Sequence, residues 1–205
     1  MLILPAGKSP NQVLMQQPGY NLWMPQLYRH QLAQFTKVLL ALVSHQLLPG
    51  YSLHIGSIRE RATLVKFIQL AYQELFPEQP DFSHLAQTVK QYFSKETPLW
   101  WVESADVSVL PSSSSVNQPL ACIWLGNAID QVQGDRHTHV FLLYVVPEHR
   151  RQGIGSALMR HAEDWARARG DRQIGLQVFE SNPPALNLYH QLGYQTQSLW
   201  MIKPL

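Results

Sequence analysis

The sequence is poor in the features that mark secreted, nucleic-acid-binding and membrane-spanning proteins. Its 205 residues include one cysteine, which excludes an internal disulfide and suits a reducing compartment. The formal net charge is only +2, and no basic tract is longer than Arg150-Arg151, so we expect no nucleic-acid partner. The apolar run at residues 38–43 is too short to cross a bilayer. We therefore predict a cytoplasmic protein without a membrane partner.

What is present fits one globular domain with an N-terminal extension. Hydrophobic residues make up 45% of the chain and charged residues 15%, a balance typical of folded proteins. Residues 1–50 contain an irregular arm with three prolines, and apolar positions within residues 28–43 then predict a helix that ends before Pro49-Gly50. This helix would pack on the rest of the chain or on a second subunit, and the pattern favours neither. Residues 51–205 form the predicted main domain.

The main domain alternates strand and helix patterns. Strands are predicted at residues 52–58, 99–103, 120–125, 140–146 and 173–179, with one or two more within 194–203. Helices are predicted at 61–76, 82–93, from Ile154 to a stop at Gly170, and after Asn182, while serine-rich residues 104–118 read as a loop. This order predicts an α/β fold, with a mixed central sheet of six or seven strands and helices on both faces.

The stretch at residues 140–155 organises this domain. Residues 140–146 are β-branched, aromatic or leucine without polar alternation, which predicts a strand buried on both faces. After Pro147 the chain passes through Arg150-Arg151-Gln152 into Gly153-Ile154-Gly155, where a helical spacing of apolar residues begins. A helix that starts this way offers free N–H groups and the positive end of its dipole, and such an end binds anions. We therefore predict a phosphate or pyrophosphate site at this turn.

Two sequence blocks occur here in a definite order and separation. The first is Arg150-x-x-Gly153-x-Gly155, preceded by Leu143-Tyr144-Val145-Val146-Pro147. The second follows the next predicted strand and reads Ser181-Asn182-Pro183-Pro184-Ala185-Leu186-Asn187-Leu188-Tyr189, then Leu192-Gly193-Tyr194. Together they resemble the GNAT superfamily of N-acetyltransferases, and the resemblance covers residues 51–205. It implies the acyl-CoA N-acyltransferase fold and transfer of an acetyl group from acetyl-CoA to a primary amine, by direct attack in a ternary complex and without a metal.

The resemblance also implies which residues hold acetyl-CoA. Backbone N–H groups of the glycine turn and the two arginines would bind the pyrophosphate. Main-chain groups of the central strand would pair with the pantetheine arm, and Asn182 would contact it while capping its own helix. The predicted binding residues are Leu143, Tyr144, Val145, Arg150, Arg151, Gln152, Gly153, Ile154, Gly155, Ser156 and Asn182.

Two residues carry the predicted chemistry. Tyr189 stands where the family places the proton donor to the departing thiolate, although it also suits a core position. Full proton transfer from a phenol of pKa about 10 to a thiolate of pKa about 8.5 is uphill by roughly 2 kcal/mol, so a strong hydrogen bond would serve instead. Alignment on the two glycines places His139 at the general base of the histone-acetylating branch, and its ordinary pKa of about 6.5 suits that role.

Several alternatives stay open. Glu103 and His137 are further candidates for the base, and His139 is expected to share a strand face with Phe141 and Leu143. Gln177 replaces the glutamate that some N-terminal-acetylating members carry, so a non-catalytic acyl-CoA-binding or sensing module with the same fold is the alternative function. The sequence does not reveal the acceptor amine, the acyl-chain length or the oligomeric state, and a homodimer formed through the N-terminal helix is among the open possibilities.

Overall fold

The computed structural model of the chain describes residues 45–105 and 118–204, so the predicted N-terminal helix and most of the serine-rich loop lie outside the described residues. Within these ranges six strands and four α-helices follow one another. The strands are β1 (His45–Leu48), β2 (Tyr51–Ile55), β3 (Leu99–Ser104), β4 (Ala121–Ile129), β5 (Arg136–Val145) and β6 (Ile174–Leu176). The helices are α1 (Arg61–Leu75), α2 (His84–Tyr92), α3 (Ile154–Ala168) and α4 (Pro183–Gln191).

The six strands form one mixed sheet in chain order, from β1 to β6. Strands β1 to β5 are antiparallel neighbours, whereas β6 runs parallel to β5 after the crossover through α3. A parallel neighbour needs such a crossover because its chain must return to the same end of the sheet. The predicted mixed α/β sheet is thus confirmed.

Helices cover both faces of the sheet, as predicted. On one face, Leu64 and Phe67 of α1 and Leu85 of α2 pack against Trp101 and Trp124 of the sheet. On the other face, Leu158 and Met159 of α3 pack against Ile123 and Val140. Among the described residues, no helix combines the length and apolar character needed to cross a membrane.

The first strand was missed by the sequence prediction. Residues 45–48 were attributed to the end of the N-terminal helix, but they pair with β2 across the Pro49-Gly50 turn. Gly50 has φ +81°, a conformation that glycine adopts without the steric penalty of a side chain. The turn therefore folds this short segment back onto the sheet, and strand pairing decides its structure.

The last predicted strands are absent. Residues 194–204 contain no strand, although one or two were expected within 194–203. Strand β6 is also shorter than the predicted 173–179, because the chain leaves the sheet after Leu176. Finally, β5 carries buried side chains on both faces, as predicted: Val140 belongs to the core on the α3 side, whereas Leu142 and Tyr144 belong to the core on the side of α1 and α2.

Candidate active site

The turn that precedes α3 has an unusual backbone with few obstructions. Arg151 has φ +61° and Gly153 has φ +85°, so two residues in this turn adopt the left-handed conformation. The first helical hydrogen bond runs from the Ala157 N–H to the Gly153 carbonyl at 3.0 Å, which leaves the preceding N–H groups without a partner inside the helix. The first turn contains no acidic side chain. This helix end can therefore receive an anion.

The turn is held in place by the second strand. The Tyr51 hydroxyl donates a hydrogen bond of 2.5 Å to Gln152 Oε1 and lies 2.9 Å from His149 Nδ1. Leu48 lies beneath the turn, with Cδ1 3.7 Å from where a Cβ at Gly153 would be. Tyr51 was not among the predicted site residues, because its contacts join positions far apart in the sequence.

The guanidinium of Arg150 makes hydrogen bonds to other residues of the protein. Its Nε donates to the Val145 carbonyl at 2.8 Å and its Nη2 donates to Glu74 Oε2 at 2.5 Å. The Tyr144 hydroxyl donates to the other Glu74 oxygen at 2.6 Å, and the guanidinium lies 5.6 Å from the Tyr144 ring centre. Burial, together with the Glu74 carboxylate, raises the pKa of Tyr144. Arg150 thus links the end of β5 to α1. Both Arg150 and Arg151, the two arginines predicted to bind phosphate, are exposed.

Strands β5 and β6 separate after a short paired stretch. Their register pairs Thr138 with Ile174, His139 with Gly175 and Val140 with Leu176, and β6 ends there. Strand β5 continues to Val145 without a strand neighbour on that side, within the described residues. Main-chain groups of Leu143, Tyr144 and Val145 lie on this stretch, and Arg150 already occupies the Val145 carbonyl. The divergence leaves a strand edge next to the helix end.

A β-bulge sits where the two strands begin to separate. Trp124 pairs with Leu142 and Leu125 pairs with Val140, so Phe141 has no partner on β4. The Phe141 ring lies over Gly126, where a Cβ would come within 2.0 Å of it. A glycine inside a strand is the sequence signal of such a bulge, but Gly126 lies just beyond the predicted strand at residues 120–125, whereas β4 continues to Ile129.

The bulge changes which side chains share a face. Phe141 stays on the side of α1 and α2, with its ring 5.4 Å from His139 and 4.7 Å from Trp124. Leu143 packs instead against the α3-side cluster. The expectation that His139 shares a face with both Phe141 and Leu143 is therefore wrong for Leu143, because the extra residue reverses the alternation.

His139 is half-buried at the start of the divergence, and His137 lies two residues earlier on the same face. Both approach Gly175 of β6: a Cβ there would lie 3.2 Å from His137 Nε2 and 4.0 Å from His139 Nδ1. Burial lowers the pKa of His139, and the nearby His137 lowers it further. His139 is therefore neutral at neutral pH, as a proton acceptor must be.

Glu103 lies elsewhere in the sheet. It follows Val102, which pairs with Ala121 at the start of β4, whereas His139 pairs with Gly126 further along that strand. The Glu103 carboxylate is 3.9 Å from His54 Nε2 on β2. The structure thus brings His137, but not Glu103, next to His139.

The second sequence block forms α4. The Asn182 side-chain oxygen accepts a hydrogen bond from the Ala185 N–H at 3.2 Å, so its role as helix cap is confirmed, while its amide N–H groups stay available. Tyr189 is half-buried against the α3-side cluster, with its ring 5.9 Å from that of Tyr194. Burial raises the pKa of Tyr189 to about 12. His139 and Tyr189 thus lie on opposite faces of the sheet. His139 is on the side of α1 and α2, with Phe141, and Tyr189 is on the side of α3.

In the part of the chain that the structure describes, no three or more His, Cys, Asp or Glu side chains form a group that could hold a metal ion. The single cysteine, Cys122, is buried in β4, and burial raises the pKa of its thiol. A buried, protonated thiol behaves as a small apolar residue.

Parts of the chain are similar in sequence to known proteins. The chain is 48% identical over 50 residues to a streptothricin acetyltransferase of Streptomyces lavendulae, covering 24% of this chain and 26% of that protein. It is 39% identical over 72 residues to the ribosomal protein bS18-alanine N-acetyltransferase of Escherichia coli K12, covering 35% of this chain and 48% of that protein. The chain thus spans half or less of the length of these curated relatives.

A solved structure shows the same fold over most of the chain. A predicted acetyltransferase from Clostridium acetobutylicum, solved with acetyl-CoA, superposes with a TM-score of 0.59 at 15% identity, covering 75% of this chain and 96% of that one. The family model described as the acetyltransferase (GNAT) family matches residues 63–194, which include the glycine turn, the diverging strands and α4. The chain therefore belongs to the GNAT acetyltransferase family.

Proposed function

We propose that this protein transfers an acetyl group from acetyl-CoA to a primary amine. The observation that carries this proposal is the position of the uncapped α3 end, free of acidic side chains, next to the unpaired edge of β5. An anion site beside a free strand edge suits a ligand with a pyrophosphate and an amide-containing arm. The residues present thus fit acetyl-CoA, which supplies the activated acetyl thioester when bound.

Two sets of groups would hold the ligand. The N–H groups of residues 151–156 would bind the pyrophosphate, with Arg151 adding charge from the exposed side of the turn. Main-chain groups of Leu143 and Tyr144 would pair with the pantetheine arm, and Asn182 would donate its amide N–H. Arg150 has three N–H donors left beyond the two it uses on Val145 and Glu74, so it can serve both the protein and a phosphate.

We propose His139 as the general base. Its lowered pKa keeps the imidazole neutral at neutral pH, and its place at the start of the divergence puts it beside the unpaired strand edge. The need for a base depends on the acceptor, because an α-amine of pKa about 8 is roughly a tenth neutral at pH 7, whereas a lysine-like amine near 10.4 is almost wholly charged.

Tyr189 would act as a hydrogen-bond donor. Its pKa of about 12 exceeds that of an ordinary thiol, about 8.5, so complete proton transfer from Tyr189 to a thiolate is uphill by about 5 kcal/mol. A donated hydrogen bond stabilises a developing thiolate without that cost. The structure records no hydrogen bond from the Tyr189 hydroxyl to another described residue, which leaves it available to a ligand.

The acceptor is a small molecule or a protein. The two curated relatives are named for different acceptors, streptothricin and a ribosomal protein, so neither acceptor transfers to this chain. We also propose a cytoplasmic location, which the single cysteine suits.

The test measures free thiol release from acetyl-CoA with a panel of amines that includes peptides with a free α-amine, lysine-like amines and aminoglycosides, alongside calorimetric titration with acetyl-CoA. We expect saturable binding and amine-dependent release. Tight binding without turnover for any amine would instead support the non-catalytic acyl-CoA-binding module. Absence of binding would reject both functions.

A further inference from the structure

His139 is flanked by a glycine on each neighbouring strand. It pairs with Gly126 of β4 and with Gly175 of β6. Side chains directly opposite each other on paired strands normally have their Cβ atoms about 5 Å apart, so the two glycines leave the imidazole without a side chain directly opposite it on either strand. A glycine inside a strand often marks a place where another group approaches closely. The space beside His139 is therefore open to rings from other positions in the sheet.

Two rings use this space. The Phe141 ring lies over Gly126, where a Cβ would come within 2.0 Å of it, and its centre is 5.4 Å from that of the His139 ring. The His137 ring lies over Gly175, with Nε2 3.2 Å from where a Cβ would be. All three rings are half-buried. The rings of residues 137, 139 and 141 thus form an aromatic floor on the side of β5 that faces α1 and α2.

Tyr92, the last residue of α2, extends the aromatic floor toward solvent. Its ring centre is 5.6 Å from that of Phe141, yet the side chain remains 45% exposed. Trp124 is fully buried and supports Phe141, with the two ring centres 4.7 Å apart. The Tyr92 hydroxyl forms no hydrogen bond with another described residue. A supported aromatic surface with an exposed tyrosine at its rim suits a flat, apolar ring.

The charges around the aromatic floor disfavour an acceptor with several positive charges. In the part of the chain that the structure describes, no carboxylate interacts with His139 or with the Tyr92 hydroxyl. Asp130, which lies within electrostatic range of His137, already accepts hydrogen bonds from backbone N–H groups of its own turn. A polyamine that enters this site would lose hydration without gaining a counter-charge.

We propose that the acceptor is a monoamine with an aromatic ring a few bonds from the nitrogen, and that this ring packs on Phe141 and Tyr92 while the amine reaches His139. This inference rests on the proposed function and names the class of its acceptor. Aromatic pairs gain from offset or edge-on contacts in addition to the apolar area that they bury. An aromatic ring should therefore be preferred over a saturated ring of nearly the same size.

The test measures thiol release from acetyl-CoA with matched acceptors. 2-Phenylethylamine is compared with 2-cyclohexylethylamine, which has the same spacer and a saturated ring, and with spermidine, a polyamine. We expect kcat/KM to be about fivefold higher for the aromatic amine than for its saturated counterpart, and lowest for spermidine. Peptides that begin with phenylalanine or with cyclohexylalanine form a second pair. A preference in the first pair alone identifies a small-molecule acceptor, and one in the peptide pair identifies a peptide N-terminus.

Substitutions locate the preference. Tyr92→Leu removes the exposed ring, so the ratio of kcat/KM for the aromatic over the saturated amine should fall to about one. Tyr92→Phe keeps the ring and should restore the preference. Phe179→Leu is the matched control, because Phe179 is 44% exposed but packs on Tyr72 and Phe76 of α1. All three variants should bind acetyl-CoA as the wild type does, which shows that they are folded.

The outcomes separate this inference from the proposed function. Equal kcat/KM within both pairs, a higher value for spermidine, or a preference that survives in Tyr92→Leu would overturn the aromatic acceptor while leaving acetyl transfer intact. Absence of thiol release with every amine would reject the proposed function, and the inference with it.

Discussion

The two edges of β5 differ in how much of their main chain is used for folding. Strand β4 pairs with β5 along its whole length apart from the bulge at Phe141, whereas β6 pairs with it only from Thr138 to Val140. The edge of β5 that faces β4 is therefore used by the sheet, whereas most of the edge that faces β6 remains open to a ligand. Substitutions on the β6 side should change binding and turnover while leaving the free energy of unfolding almost unchanged.

The largest expected effect tests the base. His139→Asn removes the proton acceptor, so kcat/KM should fall about 10² to 10³-fold, and the acid limb of the pH profile should disappear. Steady-state kinetics between acid and alkaline pH measure both. His54→Asn is the control, since His54 is a histidine on another strand, β2, where its Nε2 lies 3.9 Å from the Glu103 carboxylate. If Glu103→Gln abolishes activity while His139→Asn does not, the base lies at Glu103.

A new charge at the helix end comes next. Ser156→Asp places a carboxylate in a first turn that has none, so it should stabilise the helix and repel a pyrophosphate. At about 6 Å and an effective dielectric constant of about 20 the repulsion is roughly 3 kcal/mol, or about a hundredfold in the Kd of acetyl-CoA.

Calorimetry of Ser156→Asp should therefore show weaker binding of acetyl-CoA, whereas thermal unfolding should show an unchanged or higher Tm. Ser156→Asn, which is neutral, is the matched control and should bind nearly as well as the wild type. Equal Kd values for the two variants would place the pyrophosphate elsewhere.

Tyr189→Phe should have a smaller effect. Losing one hydrogen bond to a developing negative charge costs about 1.5 kcal/mol, which corresponds to about a tenfold fall in kcat, and the Kd of acetyl-CoA should stay constant. Tyr194→Phe is the control, because it removes a neighbouring hydroxyl that donates to Glu163. Unchanged turnover in Tyr189→Phe would assign Tyr189 to the core alone.

The smallest effect concerns the histidine pair. The charge of His137 opposes protonation of His139 and lowers its pKa, so His137→Asn should raise that pKa. The acid limb should then move to higher pH, with lower activity at pH 6 and equal activity at pH 8. If the acid limb of the pH profile instead moves to lower pH in His137→Asn, His137 does not lower the pKa of His139.

Local patterns predicted much of the fold. Helix α1 follows the apolar spacing that ends before Pro77, and α3 begins at the glycine turn, because both depend on neighbouring residues. The bulge at Phe141 and strand β1 depend on a partner strand, and no local pattern contains that partner. The prediction of a strand within residues 194–203 is wrong for the same reason. A local sequence pattern shows a preference for extended structure, but a strand also needs a neighbouring strand to pair with.

The predicted site likewise combines features that depend on neighbouring residues with features that depend on residues distant in the chain. The glycine turn before α3 and the cap at Asn182 could be anticipated, since backbone conformation and a nearby N–H determine them. The contacts of Arg150 with Glu74 and of Tyr51 with Gln152 join residues distant in the chain, so they required the folded structure. Arg150 was predicted as a phosphate ligand, and its salt bridge adds a structural role that its motif does not reveal.

The hydrogen bond from Tyr51 to Gln152 has a kinetic consequence. A turn fastened to a strand of the sheet already has its bound shape, so a ligand does not have to order it. Little conformational entropy is then lost on association, and the on-rate should be set by collision and orientation, with no slow isomerisation phase.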